Sequence, residues 1–273
     1  MQIGIYDKLD SNDYHDDKES ISRSAIMDFK TTPFHYWARH LNPLRPRKEA
    51  TPAMEFGTMF HTFILEEDEF DKRYCFEPEK VLLKNVGREQ YDAYKAECAS
   101  LEASGKQVIS ELDYNRLCEM RDAIYRNQQA YDLVQSAIYE RSFFWKDEES
   151  GLIVKSRPDI LHKNFVVDLK TISKGDARTF QQSMVSGGYH LQGAMNREAA
   201  KVLQGDDIKA FICLCVETSY PYCVSIYPID EDALQYGRKE YKQTLLEIKD
   251  CMKSNLWPAY PIQTIGLPSW YTN

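Results

Sequence analysis

Hydrophobic and polar residues alternate over several short stretches in the second half of the chain, in the pattern of β-strands with one buried face. Polar turns separate some of these stretches, for example at residues 148–151 and 163–164, which predicts antiparallel neighbours. We therefore expect a sheet in this part of the chain. The predicted strands are residues 140–145, 152–158, the two arms of a hairpin turned at 163–164, and residues 209–217 and 222–229.

Apolar residues recur every three to four positions in other stretches, which predicts amphipathic helices. Ser22 can cap the first of them, and Pro33 divides it because proline breaks a helix interior. The predicted helices are residues 22–41, 53–66, 88–104, 110–137, 176–204 with a break at 187–188, and 231–253. Together the elements predict an α/β fold, in which a central mixed sheet is flanked by helices and preceded by a helical N-terminal part.

The length and composition suit one packed domain. The chain has 273 residues, 43% of them hydrophobic. We expect a single domain over residues 1–273, with a mainly helical part (1–138), a sheet core (139–230) and a closing helix with a tail (231–273). No apolar run approaches the roughly 20 residues that span a bilayer, and the N-terminus lacks a basic-then-apolar signal pattern. We therefore expect a soluble, cytoplasmic protein with no membrane partner.

Cysteine usage and charge narrow the chemistry. Seven cysteines without a Cys-x-x-Cys pair argue against a disulfide framework, a zinc ribbon or an iron–sulfur cluster. The net charge of −8 does not suit a protein that grips DNA, but residues 155–178 hold six basic and only three acidic side chains. Positive charge is therefore concentrated in one stretch, as local binding to phosphates requires.

The strongest candidate chemistry lies in that same stretch. Residues two apart on a strand share a face, so Asp168 and Lys170 project together, and Asp159 ends the preceding strand within reach. Two carboxylates that converge at a sheet edge repel each other, and a hard divalent cation such as Mg²⁺ relieves this by accepting oxygen ligands. The Lys170 ammonium can then hold an attacking water and stabilise charge on a phosphate. The alternative is an exposed hairpin with ordinary charged residues.

Two predicted helices contribute further candidates. His61 lies among apolar residues of the helix over 53–66, where a lone histidine is usually a core residue. Tyr189, Gln192 and Asn196 share one face in the second half of the helix over 176–204.

Several motifs resemble, in the same order, those of a known family. Pro158-Asp159 and Asp168-Leu169-Lys170 resemble the signature of the PD-(D/E)xK nuclease superfamily. More narrowly, the chain is similar to the exonuclease VIII (RecE) family of phage-type recombination exonucleases. The further motifs that carry this resemblance are Ile21-Ser22-Arg23-Ser24, Gly57-Thr58-Met59-Phe60-His61 with Leu65-Glu66, Glu140 before a strand, and Tyr189-His190-Leu191-Gln192.

The resemblance implies a restriction-endonuclease-like core and a Mg²⁺-dependent exonuclease in which Mn²⁺ can substitute. It also implies roles for single residues, with Lys170 at the attacking water and Gln192 orienting Lys170 or the scissile phosphate. The implied metal ligands are His61, Asp159, Asp168 and the backbone carbonyl of Leu169, the implied catalytic residues are Asp159, Asp168, Lys170 and Gln192, and Glu140 and Tyr189 are additional candidates.

The resemblance further implies a substrate and partners. It implies 5′-to-3′ degradation from double-stranded DNA ends, which leaves 3′ single-stranded tails for a RecT-like single-strand annealing protein. It also implies a bacterial or phage-encoded protein that forms a ring-shaped homo-oligomer, a tetramer. A catalytically silent DNA-binding recombination scaffold and a site-specific endonuclease on the same fold remain open. Asn196 departs from the family, because related nucleases commonly place a tyrosine there.

Overall fold

The computed structural model describes residues 1–46, 49–76, 87–268 and 271. Its strands, in chain order, are β1 (Gly4–Tyr6), β2 (Tyr74–Phe76), β3 (Gln107–Ile109), β4 (Ile138–Tyr139), β5 (Ser142–Lys146), β6 (Ile153–Ser156), β7 (Ile160–Leu161), β8 (Phe165–Ile172), β9 (Ala210–Glu217) and β10 (Val224–Pro228). Its α-helices are α1 (Ser11–Asp16), α2 (Arg23–Thr31), α3 (Pro33–Tyr36), α4 (Pro52–Leu65), α5 (Glu67–Arg73), α6 (Arg88–Ala103), α7 (Glu111–Arg126), α8 (Gln128–Val134), α9 (Ala177–Gly187), α10 (Tyr189–Gln204) and α11 (Glu231–Ser254).

Within these described residues, the largest sheet has five strands in the order β10-β9-β8-β7-β4. Strands β8 and β9 are parallel, and the other neighbours in this sheet are antiparallel. Strands β1, β5 and β6 form a second, antiparallel sheet, and β2 pairs with β3 in parallel. The predicted α/β architecture with a central mixed sheet is therefore confirmed.

Helices cover both faces of the five-stranded sheet. One hydrophobic core joins Val166 of β8 to α2, α9, α10 and α11, and the other joins Val167 and Leu169 to α4, α5, α7 and α8. Because side chains alternate along a strand, Asp168 and Lys170 lie on the same face as Val166. A carboxylate and an ammonium thus enter the layer between β8 and α10.

Short polar and proline signals decide where the helices begin. The Ser22 side chain accepts a hydrogen bond from the Ala25 N–H (3.3 Å) and caps α2. Thr32 and Pro33 start α3 as a new helix, and a π-helical turn, Trp37–Leu41, follows it. The predicted helix over 22–41 is therefore divided at Pro33, as expected.

Two expectations about the strands are wrong. Strands β5 and β6 do not continue into the sheet of β8 within the described residues; their outer partner is β1. Asp159 does not end the strand before the hairpin, because β6 ends at Ser156 and Asp159 lies just before β7. Pro158 has no N–H to donate to a strand ladder, which separates β6 from β7.

One finding bears on the expected absence of a membrane partner. Among the helices of the described ranges, none combines the length and the apolar character that crossing a bilayer requires.

Candidate active site

A cleft of about 680 Å³ contains most of the site residues predicted from the sequence, while Asp168, Leu169 and Tyr189 are not among the residues that line it. Residues of α1, α2, α4, β6, β8 and α10 line it, so that the three-stranded sheet, the five-stranded sheet and both helical layers contribute. Asp159, Lys170 and Gln192 are among these lining residues, as are His61 and Glu140. The fold thus gathers into one cleft side chains that are distant in the sequence, such as His61 and Gln192, which are 131 positions apart.

Asp159 is the buried carboxylate at the base of the cleft. Its Oδ2 accepts a hydrogen bond from the Leu169 N–H (2.8 Å), which ties the residue before β7 to the middle of β8. The same oxygen lies 3.7 Å from His61 Nδ1. Burial and the nearby charge of Asp168 raise the pKa of Asp159 to about 6. Ionisation of the Asp159 carboxyl group is therefore less favourable in the folded protein than in water.

Glu140 stands beside Asp159 because of an unusual backbone conformation. Its φ of 50° is in the left-handed region, and its N–H donates to the Asp159 carbonyl oxygen (3.1 Å). Burial, together with the charge of Asp159, raises the pKa of Glu140 well above its ordinary value. Two crowded, buried carboxylates are the arrangement that a cation stabilises.

His61, Glu140 and Asp159 form a donor group that fits a divalent cation. One ligand atom from each lies within 4.8 Å of the other two. Two carboxylate oxygens and one imidazole nitrogen are a donor set that Mg²⁺, Mn²⁺ and related ions accept. The repulsion between the two carboxylates also indicates that a cation fits this site, because a bound cation would offset it.

The position of His61 depends on a close approach of α4 to β8. A side chain at Gly57, one turn earlier, would lie 3.2 Å from Thr171 Oγ1, so glycine lets the helix pack against this strand. His61 has a side chain that is 25% exposed and faces Asp159. It is therefore a residue of the cleft wall, unlike a fully enclosed core histidine.

Asp168, Lys170 and Gln192 form a second group next to the first. Lys170 Nζ lies 2.7 Å from Asp168 Oδ2, and Gln192 Nε2 donates to Asp168 Oδ1 (2.6 Å). Burial opposes the charge of Lys170, but Asp168 and Asp159 outweigh it and raise its pKa. Lys170 Nζ also lies 5.1 Å from the centre of the Tyr189 ring, which is a cation–π distance. Lys170 is therefore a fixed cation.

The two groups divide the predicted site residues between them. Asp168 is fully buried and pairs with Lys170 and Gln192, outside the donor group of His61, Glu140 and Asp159. Leu169 contacts Asp159 through its N–H. Glu140, only an additional candidate from the sequence, belongs to the donor group.

No functional role was assigned from the sequence to some of the cleft residues. Arg157 donates to Ser142 Oγ (2.7 Å), and its guanidinium lies 4.1 Å from the centre of the Tyr14 ring. Arg23 donates to the Gly187 carbonyl oxygen across the cleft wall. Their positions in the sequence could have marked them as cleft residues, because Arg157 directly precedes Pro158-Asp159 and Arg23 lies within the Ser-rich start of α2.

The cleft has a different charge from the whole protein. Seven Lys or Arg side chains and four Asp or Glu side chains are among its lining residues, whereas the chain carries a net charge of −8. The excess of positive charge surrounds an acidic centre. A polyanion can therefore be held along the walls while the centre holds a cation.

Comparisons with known proteins agree with this architecture. A crystal structure described as that of a "putative exonuclease" from Eubacterium rectale matches with a TM-score of 0.60 and 18% sequence identity, over 94% of this chain and 96% of that one, which shows a shared fold. The structure of SSO0001 matches at a TM-score of 0.30 and 14% identity, over 70% of this chain and 85% of that one. No curated protein matches the sequence.

The family model that matches is described as a "PDDEXK-like domain of unknown function", and it covers residues 22–264. The match includes every predicted site residue and confirms the predicted PD-(D/E)xK core, while the narrower RecE resemblance stays a prediction. The chain therefore belongs to the PDDEXK-like family DUF3799, within the PD-(D/E)xK superfamily.

Proposed function

We propose that this protein is a metal-dependent exodeoxyribonuclease that acts on the ends of double-stranded DNA. The observation that carries the proposal is the adjacency of the two groups in one cleft. His61, Glu140 and Asp159 offer ligands for a cation, and Lys170 stands beside them, fixed by Asp168. A cation site next to a fixed ammonium provides the groups that can catalyse phosphodiester hydrolysis.

The proposed cation is Mg²⁺, for which Mn²⁺ can substitute. His61, Glu140 and Asp159 would hold it, with Asp168 and the Leu169 carbonyl as further ligands. When bound, such an ion supplies Lewis acidity at the scissile phosphate and lowers the pKa of coordinated water. The two raised carboxylate pKa values support this assignment.

The proposed work of the protein side chains is electrostatic. Lys170 keeps its proton, so that it donates hydrogen bonds to the attacking water and to the phosphate oxygens on which charge develops. Gln192 holds Asp168 in the orientation that pairs with Lys170. Tyr189 supports Lys170 from the other side through its ring.

The walls of the cleft support a nucleic-acid substrate. The N-terminus of α2 lies on one wall, where Ser22, Arg23 and Ser24 combine an arginine, two hydroxyls and free backbone N–H groups. Helix N-termini favour anions, and arginine pairs well with phosphate. Binding to a DNA backbone along this wall would bring a phosphodiester to the acidic centre.

The finer features of the proposal rest on the resemblance of the motifs to the RecE family. They are the 5′-to-3′ direction, the production of 3′ single-stranded tails for recombination, a single-strand annealing partner and a ring-shaped homo-oligomer, a tetramer.

The test compares linear with closed circular duplex DNA in Mg²⁺, with label at either the 5′ or the 3′ end. We expect linear duplex to be consumed from its 5′ ends, the circle to be spared, and all cleavage to stop in chelator. Cutting of the circle would favour a site-specific endonuclease. Binding of DNA without cleavage in Mg²⁺ or Mn²⁺ would favour a catalytically silent scaffold.

A further inference from the structure

Asn196 is a buried amide without a hydrogen-bond partner. Its side chain is 1% exposed and lines the cleft, yet neither Oδ1 nor Nδ2 is hydrogen-bonded. Its neighbours along α10 include Met195 and Ala199, which are buried and apolar. A buried, unpaired amide destabilises a fold, so an apolar residue of the same size would suit this position better if packing were its only task.

Gln192 presents a matching unpaired atom. Its Nε2 donates to Asp168, while its Oε1 is buried and unpartnered. Asn196 follows Gln192 by four residues in α10, so the two side chains are neighbours one turn apart on the same face. Asn196 Nδ2 is a donor and Gln192 Oε1 is an acceptor, and side chains one turn apart on a helix are close enough to interact.

We infer that Asn196 is a positioning residue that fixes the orientation of the Gln192 amide, an inference that rests on the proposed function for its catalytic consequence. An amide can turn over and exchange its oxygen for its nitrogen. The carboxylate of Asp168 accepts only from the nitrogen end of Gln192, and a donor at Asn196 pairs only with the oxygen end. With both contacts, one orientation is selected, and Asp168 is held in place for Lys170 and for the cation.

A phosphate cannot take the place of Asn196 as the partner of Gln192 Oε1. A phosphate oxygen accepts hydrogen bonds, so it could pair with Asn196 Nδ2 but not with the unpartnered Oε1 of Gln192. The Asn196 amide satisfies that acceptor from within the protein. It therefore acts through Gln192 and needs no contact with DNA.

The experiment replaces Asn196 with two residues of similar size, Asn196→Leu and Asn196→Asp, both of which lack the amide donor. The matched control is Gln204→Leu, because Gln204 lies on the same helix, also has an unpartnered side-chain oxygen and is not among the cleft-lining residues. Four quantities are measured on each purified full-length protein. They are the metal-free melting temperature, the Mg²⁺ dissociation constant by calorimetry, DNA binding in Ca²⁺, and single-turnover cleavage.

We expect Asn196→Leu to melt at about the same temperature as wild type, because it removes the inferred hydrogen bond to Gln192 together with a buried amide oxygen that has no partner. It should nevertheless bind Mg²⁺ about tenfold more weakly and cleave about tenfold more slowly, as is common when a group that supports a metal ligand is lost. DNA affinity should stay unchanged. Asn196→Asp should lose at least as much Mg²⁺ affinity, and Gln204→Leu should match wild type in Mg²⁺ binding and in cleavage.

Three results would overturn the inference. Wild-type Mg²⁺ affinity in Asn196→Leu would give Asn196 no role in the site. Weakened DNA binding with unchanged Mg²⁺ affinity would make it a direct substrate contact. An equal loss of Mg²⁺ affinity and cleavage in Gln204→Leu would mean that any such substitution in α10 has this effect. Wild-type protein that cleaves no DNA would remove the proposed function, while the Mg²⁺ titration would still decide the role of Asn196.

Discussion

Two clusters of charged side chains in the described part of the chain show opposite patterns of charge pairing. The first, which we name the paired cluster, is Asp147, Glu198, Arg238 and Lys242. Lys242 binds both Asp147 and Glu198, and Arg238 donates to Glu198 from Nε (3.0 Å) and Nη2 (3.2 Å). The second, the acidic cluster, is His61, Glu140 and Asp159.

Their carboxyl pKa values differ in direction. Burial would raise the pKa of Asp147, but hydrogen bonds from Lys242 and Ser150 outweigh it, and the pKa is lowered. In the acidic cluster, burial and neighbouring carboxylates act together, so the pKa values of Glu140 and Asp159 are raised. Burial thus opposes carboxylate charge at both sites, and cationic hydrogen-bond donors outweigh it only in the paired cluster.

This difference separates a structural cluster from a functional one. In the paired cluster the protein supplies cations for its own carboxylates, so nothing further is needed. In the acidic cluster His61 is the only basic member, and the nearby ammonium of Lys170 is already paired with Asp168. Carboxylates that are crowded and underpaired at the base of a cleft are typical of functional sites.

The largest expected effect follows from removing a carboxylate at the acidic centre. Asp159→Ala and Asp168→Ala should each reduce cleavage of linear duplex below detection, the first by weakening the cation site and the second by releasing Lys170. Cleavage rates under single-turnover conditions measure this. Activity that survives in Asp159→Ala would remove the acidic cluster from the chemistry.

Lys170→Ala should come next, with turnover reduced by ~10²- to 10³-fold, which is typical when one preorganised electrostatic contact is lost. Lysine is not a ligand for Mg²⁺ at neutral pH, so calorimetry should still detect the ion. DNA binding in Ca²⁺ should fall much less than turnover. If cleavage stays near the wild-type rate, Lys170 has no part in the reaction.

Lys242→Met should lower the stability of the protein without changing its specific cleavage activity. Removing the shared cation leaves Asp147 without its ion pair and Glu198 with Arg238 as its partner, which we expect to lower the free energy of unfolding by about 3 kcal/mol at neutral pH. The folded-state pKa values of Asp147 and Glu198 lie below their ordinary 3.8 and 4.5, so their stabilisation is present above those values and is lost as the pH falls through the folded-state values. The gap between wild type and variant should therefore narrow below about pH 4.

Denaturant unfolding at several pH values, beside cleavage assays at a temperature where both proteins are folded, measures both parts of this expectation. A loss of specific activity in folded Lys242→Met would contradict the division between the two clusters.

His61→Ala should reduce Mg²⁺-dependent cleavage by at least about tenfold, because it removes one of the proposed ligands of the cation. Mn²⁺ should restore much of it, because Mn²⁺ binds nitrogen and oxygen ligands more tightly than Mg²⁺ does. The assay compares rates in the two ions across a range of concentrations. A variant that unfolds but keeps its specific activity when folded would mean that His61 serves packing.

The sequence predicted much of this arrangement because its elements are locally encoded. Alternation in β8 placed Asp168 and Lys170 on one face. Ser22 and Pro33 marked helix starts. Such patterns depend only on residues that are close in the sequence, and the structure shows the features that they predict.

Other features depend on contacts between distant residues and have no local signal. The pairing of β5 with β1 joins segments more than 130 residues apart, and so nothing near β5 indicates it. The approach of Glu140 to Asp159 depends on a left-handed backbone at a residue type that rarely adopts it. The pairing of Asp168 with Gln192 required the position of α10 over β8.

Mg²⁺ binding to the metal-free protein tests the division between the clusters most directly. Calorimetry would be run on wild type, on Asp159→Asn in the acidic cluster and on Glu198→Gln in the paired cluster, each checked for folding by circular dichroism. We predict that wild type and Glu198→Gln bind Mg²⁺ with the same affinity and that Asp159→Asn loses binding. Equal Mg²⁺ binding by all three proteins, or none by wild type, would contradict the assignment of the acidic cluster as the cation site.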